Sequence, residues 1–322
     1  MKKIRIANLG FPQDYRRTLL PLVIESMGLQ IEWVEAKNAD LVIFGPQFQL
    51  QRQSLRHIPK VFRKYIKKPF VEELQTHLGS RGQLPVRIFH ALGNYRHDHI
   101  SADYSISSDI VFGQVNHFRL PPWMERVNWS EQGIRSSESL FGGQLFDLER
   151  LARPLGHDFM GRVTQGIRSA AFRSDTLREP NSTCLKSIQS VMRVDGFGAV
   201  FDLKSPTSSS FLVNYESVLE QYAFNLCPEE TLYPAYVTDK IPAAFLAGCL
   251  PISWVDQSVS IDFNPKAFVN LADMAAKEFV GVENLLSDKY LQQFADQALL
   301  LNKPSLEPLK VYLKNIISQA IG

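Results

Sequence analysis

The chain has 322 residues, 45% of them apolar and 21% charged, with a formal net charge of +2 at neutral pH. That balance excludes a disordered chain, supplies a sizeable core and fits two domains of ~100–200 residues each. No apolar run reaches the ~18 residues that a bilayer crossing needs, and a charge so close to zero gives no reason to expect a nucleic-acid partner.

Strands and helices alternate from the start. Ile4 to Leu9 reads as a strand, and its apolar run is too short for a signal peptide. The expectation is a cytoplasmic protein, with peripheral contact at the inner membrane as an extension of that reading. Gly10-Phe11-Pro12 forms a turn but not Gly-x-Gly-x-x-Gly, so no dinucleotide fingerprint is read. Leu19, Leu20, Val23, Ile24 and Met27 recur at helical spacing, and Gly28 closes that helix. Ile31–Val34 and Leu41–Phe44 read as strands, and the pattern as a whole predicts an open α/β domain.

Residues 52–68 carry Arg52, Arg56, Lys60, Arg63, Lys64, Lys67 and Lys68, with Val61, Phe62, Tyr65 and Ile66 between them. One reading is a surface that meets a polyanion, lipopolysaccharide phosphates or acidic lipid. The commoner reading is a solvated helix face over an apolar one. Val86 to Phe89 is a strand with His90 at its carboxyl end. A single histidine at a strand end is more often structural than chemical.

Ser130 to Gly143, rich in Ser and Gly, reads as a connection, and Leu145 to Leu155 as helical. The domain boundary is placed near residue 150, giving domains 1–150 and 151–322. Val191 to Gly198 ends in a turn where Gly196 and Gly198 allow a loop to approach a ligand closely. Cys184, Cys227 and Cys249 are odd in number and lack metal-ligand spacing, which suits small core positions in a reducing compartment. Asp-x-Asp and His-Glu-x-x-His are absent, so no metal cofactor is expected.

The stretch from Phe224 to Asp273 is the most informative. Phe224, Leu226 and Cys227 suit a buried strand, Pro228 to Tyr236 a polar loop, and Thr238 or Asp239 the cap of a helix through Ala243 to Ala247 that stops at Gly248. Leu250 to Trp254 returns as a second strand. Ligands of such sheets bind at the carboxyl ends of the strands. Lys240 stands at the helix start, where it is read either as a phosphate ligand or as a solvated side chain. The tail, Leu285 to Ala298 and Leu306 to Ile321, is helical in pattern, and the final helix is read as crossing back to the first domain.

Phe224-Asn225-Leu226-Cys227, Glu229, Tyr236-Val237-Thr238-Asp239-Lys240-Ile241, Pro251-Ile252-Ser253-Trp254 and Asp262-Phe263-Asn264-Pro265-Lys266 together resemble the donor-binding motif of the α-1,3-fucosyltransferases, glycosyltransferase family 10, bacterial type. Asp103-Tyr104-Ser105-Ile106 with Asp109, and Arg119 with Pro121, resemble further segments of that family. The resemblance implies a GT-B glycosyltransferase: α/β, with two Rossmann-like domains facing a cleft, acceptor-binding first and donor-binding second. It implies inverting transfer of L-fucose from GDP-L-fucose to a glycan hydroxyl without metal, in synthesis of a bacterial surface polysaccharide such as the O-antigen of lipopolysaccharide.

By the same resemblance Lys240 and Arg178 face the donor diphosphate, with Arg173 competing for the second role. Asp239 stands where the family has Glu near the anomeric carbon, and Tyr236, Asn264 and Lys266 belong to the donor motif. Glu230 replaces an Asn of the family, which points toward another GDP-sugar such as GDP-colitose. The family's general base, a Glu, falls near Leu92 or Asn94, neither of which is a carboxylate. His90 is the first substitute, with a rate that rises with pH through neutrality, and Asp98 the second. Without a base, a non-catalytic GDP-sugar-binding protein is the alternative.

Overall fold

The computed structural model describes residues 2–11, 13–46, 85–96, 102–134, 144–201, 215–274, 279 and 281–321. The basic stretch 52–68, Asp98 and most of the Ser/Gly-rich connection lie outside the described residues. The chain divides into two compact units. The first comprises Met1–Leu120, Trp129–Leu140 and Ser305–Gly322; the second comprises Pro121–Asn128 and Phe141–Pro304.

The first unit is built on a six-stranded sheet in the order β2-β1-β3-β4-β5-β6. Its strands are β1 (Lys2–Leu9), β2 (Leu29–Trp33), β3 (Leu41–Phe44), β4 (Val86–His90), β5 (Tyr104–Ser107) and β6 (His117–Arg119). All five pairings are parallel. Both faces of a parallel sheet are covered, which is why β3 reads Leu-Val-Ile-Phe without alternation and is buried at every residue. Helix α1 (Leu19–Ser26) follows β1, buries Leu19, Leu20, Val23 and Ile24, and ends before Gly28 at φ +80°. A left-handed residue there closes a helix with no steric cost only when it is glycine. Pro21 is buried in the first turn of α1, where its missing N–H would have no helical partner anyway. Asp103 fixes the β4–β5 register by accepting bonds from the Arg87 backbone N–H at 2.9 Å and from Nη2 at 2.7 Å. The C-terminal helix, Glu307–Ile321, belongs to this unit; its Tyr312 hydroxyl donates to the Ser105 carbonyl at 3.2 Å and its ring packs on Phe118.

The second unit has a five-stranded parallel sheet, β11-β10-β9-β7-β8. Its strands are β7 (Ser169–Arg173), β8 (Arg193–Phe197), β9 (Phe224–Leu226), β10 (Leu250–Ser253) and β11 (Val269–Asn270). Three helices around it matter for the site: α2 (Gly156–Thr164), α3 (Asn181–Gln189) and α4 (Lys240–Leu246). The strand–loop–helix–strand reading of Phe224 to Trp254 is the observed order β9-α4-β10. Helix α4 buries Ile241, Ala244 and Phe245, and full burial of the Phe245 side chain contributes ~2–3 kcal/mol. It stops at Gly248, φ +76°, where an added Cβ would sit 2.7 Å from Arg162 Nη2. That guanidinium caps the helix by donating to the Ala247 carbonyl at 3.2 Å and to Tyr222 O at 2.8 Å. The three cysteines are free and buried. Burial raises all three thiols, Cys184 and Cys249 to about 12, so they serve as small apolar core residues rather than nucleophiles.

Candidate active site

In the second unit the chain runs from β7 out to β8 and then back across β7 to β9. The strand order reverses between β7 and β9, and in an open α/β sheet the crevice beyond the carboxyl ends of those two strands is the natural ligand site. A cleft of about 340 Å³ lies there. Arg173, Ser174 and Asp175 close it from β7; Leu226, Cys227 and Pro228 from β9; Asp239 and Lys240 from the start of α4; Asn181 from the start of α3.

The loop between β9 and α4 is pinned by Glu229. Its side chain is 1% exposed and accepts from the Thr238 backbone N–H at 2.8 Å and from the Thr238 hydroxyl at 2.7 Å. Lys240 Nζ stands 3.4 Å from the other Glu229 oxygen and donates to the Pro228 carbonyl at 2.7 Å. A buried carboxylate is costly unless paired and hydrogen-bonded, and here it is both. Lys240 thus lines the cleft with its side chain 37% exposed while one of its ammonium protons is held by the loop.

Asp239 is the N-cap residue of α4, but its side chain does not cap the helix. Its Oδ2 accepts from Arg126 Nη1 at 2.6 Å. Sequence reasoning missed Arg126. A boundary near residue 150 places Pro121–Asn128 in the first domain, yet the segment belongs to the second unit and pairs with the 144–147 region through a Val127–Phe146 bridge. The signal available was a charged residue between the apolar residues Trp123, Met124, Val127 and Trp129.

Of the two arginines considered for the diphosphate, Arg173 ends β7, lines the cleft and lies over the Tyr215 ring at 5.4 Å. Arg178 is exposed on the loop before α3, not on the helix, and is not part of the cleft wall. Glu230 lines the cleft and is exposed. Tyr236 is half-buried outside the cleft lining, edge-on to Tyr233. Asn264 is 5% exposed and its amide is used internally: Nδ2 donates to Ala298 O at 3.0 Å and Oδ1 accepts from the Lys266 N–H at 3.1 Å. Its place is that of a structural staple, and Lys266 is exposed away from the cleft lining. At the end of β8, Gly198 takes φ +98° and passes so close to β7 that a Cβ would lie 2.6 Å from Ser174 O. The loop therefore approaches the cleft wall, as its two glycines suggested.

His90 departs from expectation. It is 1% exposed, and its Nδ1 is 2.7 Å from the Tyr15 hydroxyl. Phe11 stacks on Tyr15 with centroids 4.1 Å apart and packs against the imidazole. Burial lowers the His90 pKa to about 3, because a charged ring there would lose its hydration. The ring stays neutral across the physiological range, which removes the expected titration near pH 7. Among the described residues no cluster of three or more His, Cys, Asp or Glu side chains could hold a metal ion, and no helix is long and apolar enough to cross a membrane.

Residues 171–296 match the family model for the C-terminal region of glycosyltransferase family 10 (fucosyltransferase). The chain is 28% identical over 200 residues to the α-(1,3)-fucosyltransferase FucT of Helicobacter pylori, a match covering 58% of this chain and 41% of that relative's length. Its fold matches a crystal structure of an α1,3-fucosyltransferase with TM-score 0.66 and 20% identity, over 98% of this chain and 90% of that one. An α1,3-fucosyltransferase crystallised with GDP-fucose matches with TM-score 0.64 and 19% identity, over 98% and 91%. The α/β architecture with two parallel sheets is that of GT-B fucosyltransferases, and the chain resembles the α-1,3-fucosyltransferases of glycosyltransferase family 10, in sequence over the family-model stretch 171–296 and in fold over nearly its whole length.

Proposed function

We propose that this chain is an inverting glycosyltransferase that moves L-fucose from GDP-L-fucose to a glycan hydroxyl in the making of a bacterial surface polysaccharide. The observation that carries the reading is the cleft at the β7/β9 reversal, which Arg126, Arg173 and Lys240 line together with the carboxylates Asp239 and Glu230, all but Arg126 inside the stretch 171–296 that matches the family model. Departing GDP gains negative charge, and fixed cations stabilise it without reorganising. The sugar left behind gains positive character at its anomeric carbon, which a fixed carboxylate such as Asp239 stabilises. Lys240 and Arg173 take the diphosphate in this reading, and Arg173 replaces Arg178 because it reaches the cleft. No metal is required.

The deciding experiment is a screen of GDP-sugars in which GDP release is measured with and without EDTA. GDP-L-fucose turnover that survives chelation is the expected result. Turnover restored only by manganese or magnesium would refute the metal-free mechanism. A second reading is favoured by Glu230, whose carboxylate lines the cleft where the family pattern has a neutral amide: the donor is then another GDP-sugar, such as GDP-colitose, and outcompetes GDP-L-fucose in the same screen. GDP-sugar binding with no turnover across the panel would mark a non-catalytic binder.

A further inference from the structure

An Asp at a helix N-cap ordinarily accepts a bond from a free N–H of the first turn. Asp239 does not. Its carboxylate is turned to Arg126, and Arg126 is built to receive it. The arginine is 6% exposed. Its guanidinium lies over the Phe146 ring at 4.6 Å, and Nη2 donates to Gln144 O at 3.0 Å. Its own carbonyl accepts from the Phe146 N–H at 2.6 Å, so main chain and side chain are anchored to the same segment. A planar fork held by one ring face and two terminal bonds has a single orientation. Asp239, by contrast, keeps its side chain 35% exposed, and among the described residues its Oδ1 has no hydrogen-bond partner.

We propose that Arg126 is a positioning residue: it draws Asp239 off its own helix and fixes one carboxylate oxygen, so that the other is presented to the sugar of a bound sugar nucleotide. The inference rests on the donor reading of the cleft. Direct pairing of Arg126 with the diphosphate is the competing role, since the guanidinium also lines the cleft.

The test is a double-mutant cycle on full-length protein with Arg126→Gln, Asp239→Asn and the pair combined. It is read as GDP release from GDP-L-fucose and, separately, as the Kd of GDP. Arg126→Gln is expected to slow release ~10–100-fold, the size of loss that a misplaced reacting group produces, while the GDP Kd stays within about threefold. In the Asp239→Asn background the same change should cost less than about threefold, because its target is already gone. Arg126→Lys, which keeps the charge, should recover part of the rate, and it carries the test if Arg126→Gln fails to fold.

Losses that multiply in the double variant would overturn the inference while leaving the donor reading intact. So would a GDP Kd weakened as much as the rate falls, which would place Arg126 on the diphosphate. If wild type binds GDP but turns over no GDP-sugar, the cycle is read on how much tighter GDP-L-fucose binds than GDP. An increment untouched by Arg126→Gln then sinks the proposal. Wild type that binds no GDP at all removes the donor reading, and the inference with it.

Discussion

The two units wind the same way and use the result differently. In each, the strand order reverses beside the first strand, between β1 and β3 in one and between β7 and β9 in the other, and each reversal opens a crevice at the carboxyl ends of the strands. In the first unit that crevice is occupied by its own chain. Phe11 lies so close to Gly45, just past β3, that a Cβ there would meet the ring at 2.6 Å, and Tyr15 and His90 complete a buried aromatic cluster. In the second unit the equivalent place is open and lined by charge. Topology makes the crevice; the residues just beyond the first strand determine whether it is core or site. Aromatic rings after β1 release apolar surface from water, whereas Arg173 and Ser174 at the end of β7 leave an open polar space.

The largest effect expected from breaking this comparison is in the first unit. Tyr15→Ala removes a side chain that is 1% exposed and should cost about 3–5 kcal/mol of stability, the usual range for deleting a buried aromatic ring. Urea unfolding measures that loss, and calorimetric titration of GDP should find affinity unchanged within about twofold, since the cleft belongs to the other unit. Equal damage to both would mean that the first crevice is more than core.

Arg173→Ala should do the reverse. Losing a charge-assisted contact to a diphosphate corresponds to about 1.5–3 kcal/mol, or roughly 10–100-fold in GDP affinity, with stability changed by less than ~1 kcal/mol. Arg178→Ala is the control, and its GDP affinity should stay within about twofold of wild type. If Arg178 weakens binding and Arg173 does not, the assignment by cleft geometry fails.

The third expectation concerns acid. The His90 pKa is lowered by burial from 6.5 to about 3. Between those values the unfolded chain binds a proton that the native chain does not, so this contribution to stability is complete above pH 6.5 and is lost as pH falls, at about 1.4 kcal/mol per pH unit. Thermal unfolding between about pH 6 and pH 4 should show that slope, and His90→Gln, which can still accept from Tyr15, should flatten it. The same burial keeps the His90 ring neutral near pH 7, so any rise in transfer rate through neutrality should persist in His90→Gln; its disappearance would return His90 to the role of base.

Smallest is Tyr15→Phe, which removes only the hydroxyl facing His90 Nδ1 and should cost about 1 kcal/mol, measurable as a modest shift in the urea midpoint.

Much of this molecule was determined by sequence alone, because the interactions concerned are local. The unbroken apolar run of β3, the helix stop at Gly248, the order β9-α4-β10 and the placement of Lys240 at the first turn of α4 all follow from periodicity and backbone preference within a few residues. Tertiary structure alone decided the rest. Arg126 meets Asp239 from a segment far earlier in the chain, and no local pattern encodes that pairing. Arg173 reaches the cleft and Arg178 does not, because strand register, not spacing to a later motif, determines which side chain stands at the end of β7. His90 stands at a strand end as expected, but the rings that remove it from water come from the loop after β1, and whether a titratable group is solvated depends on what the rest of the fold packs against it.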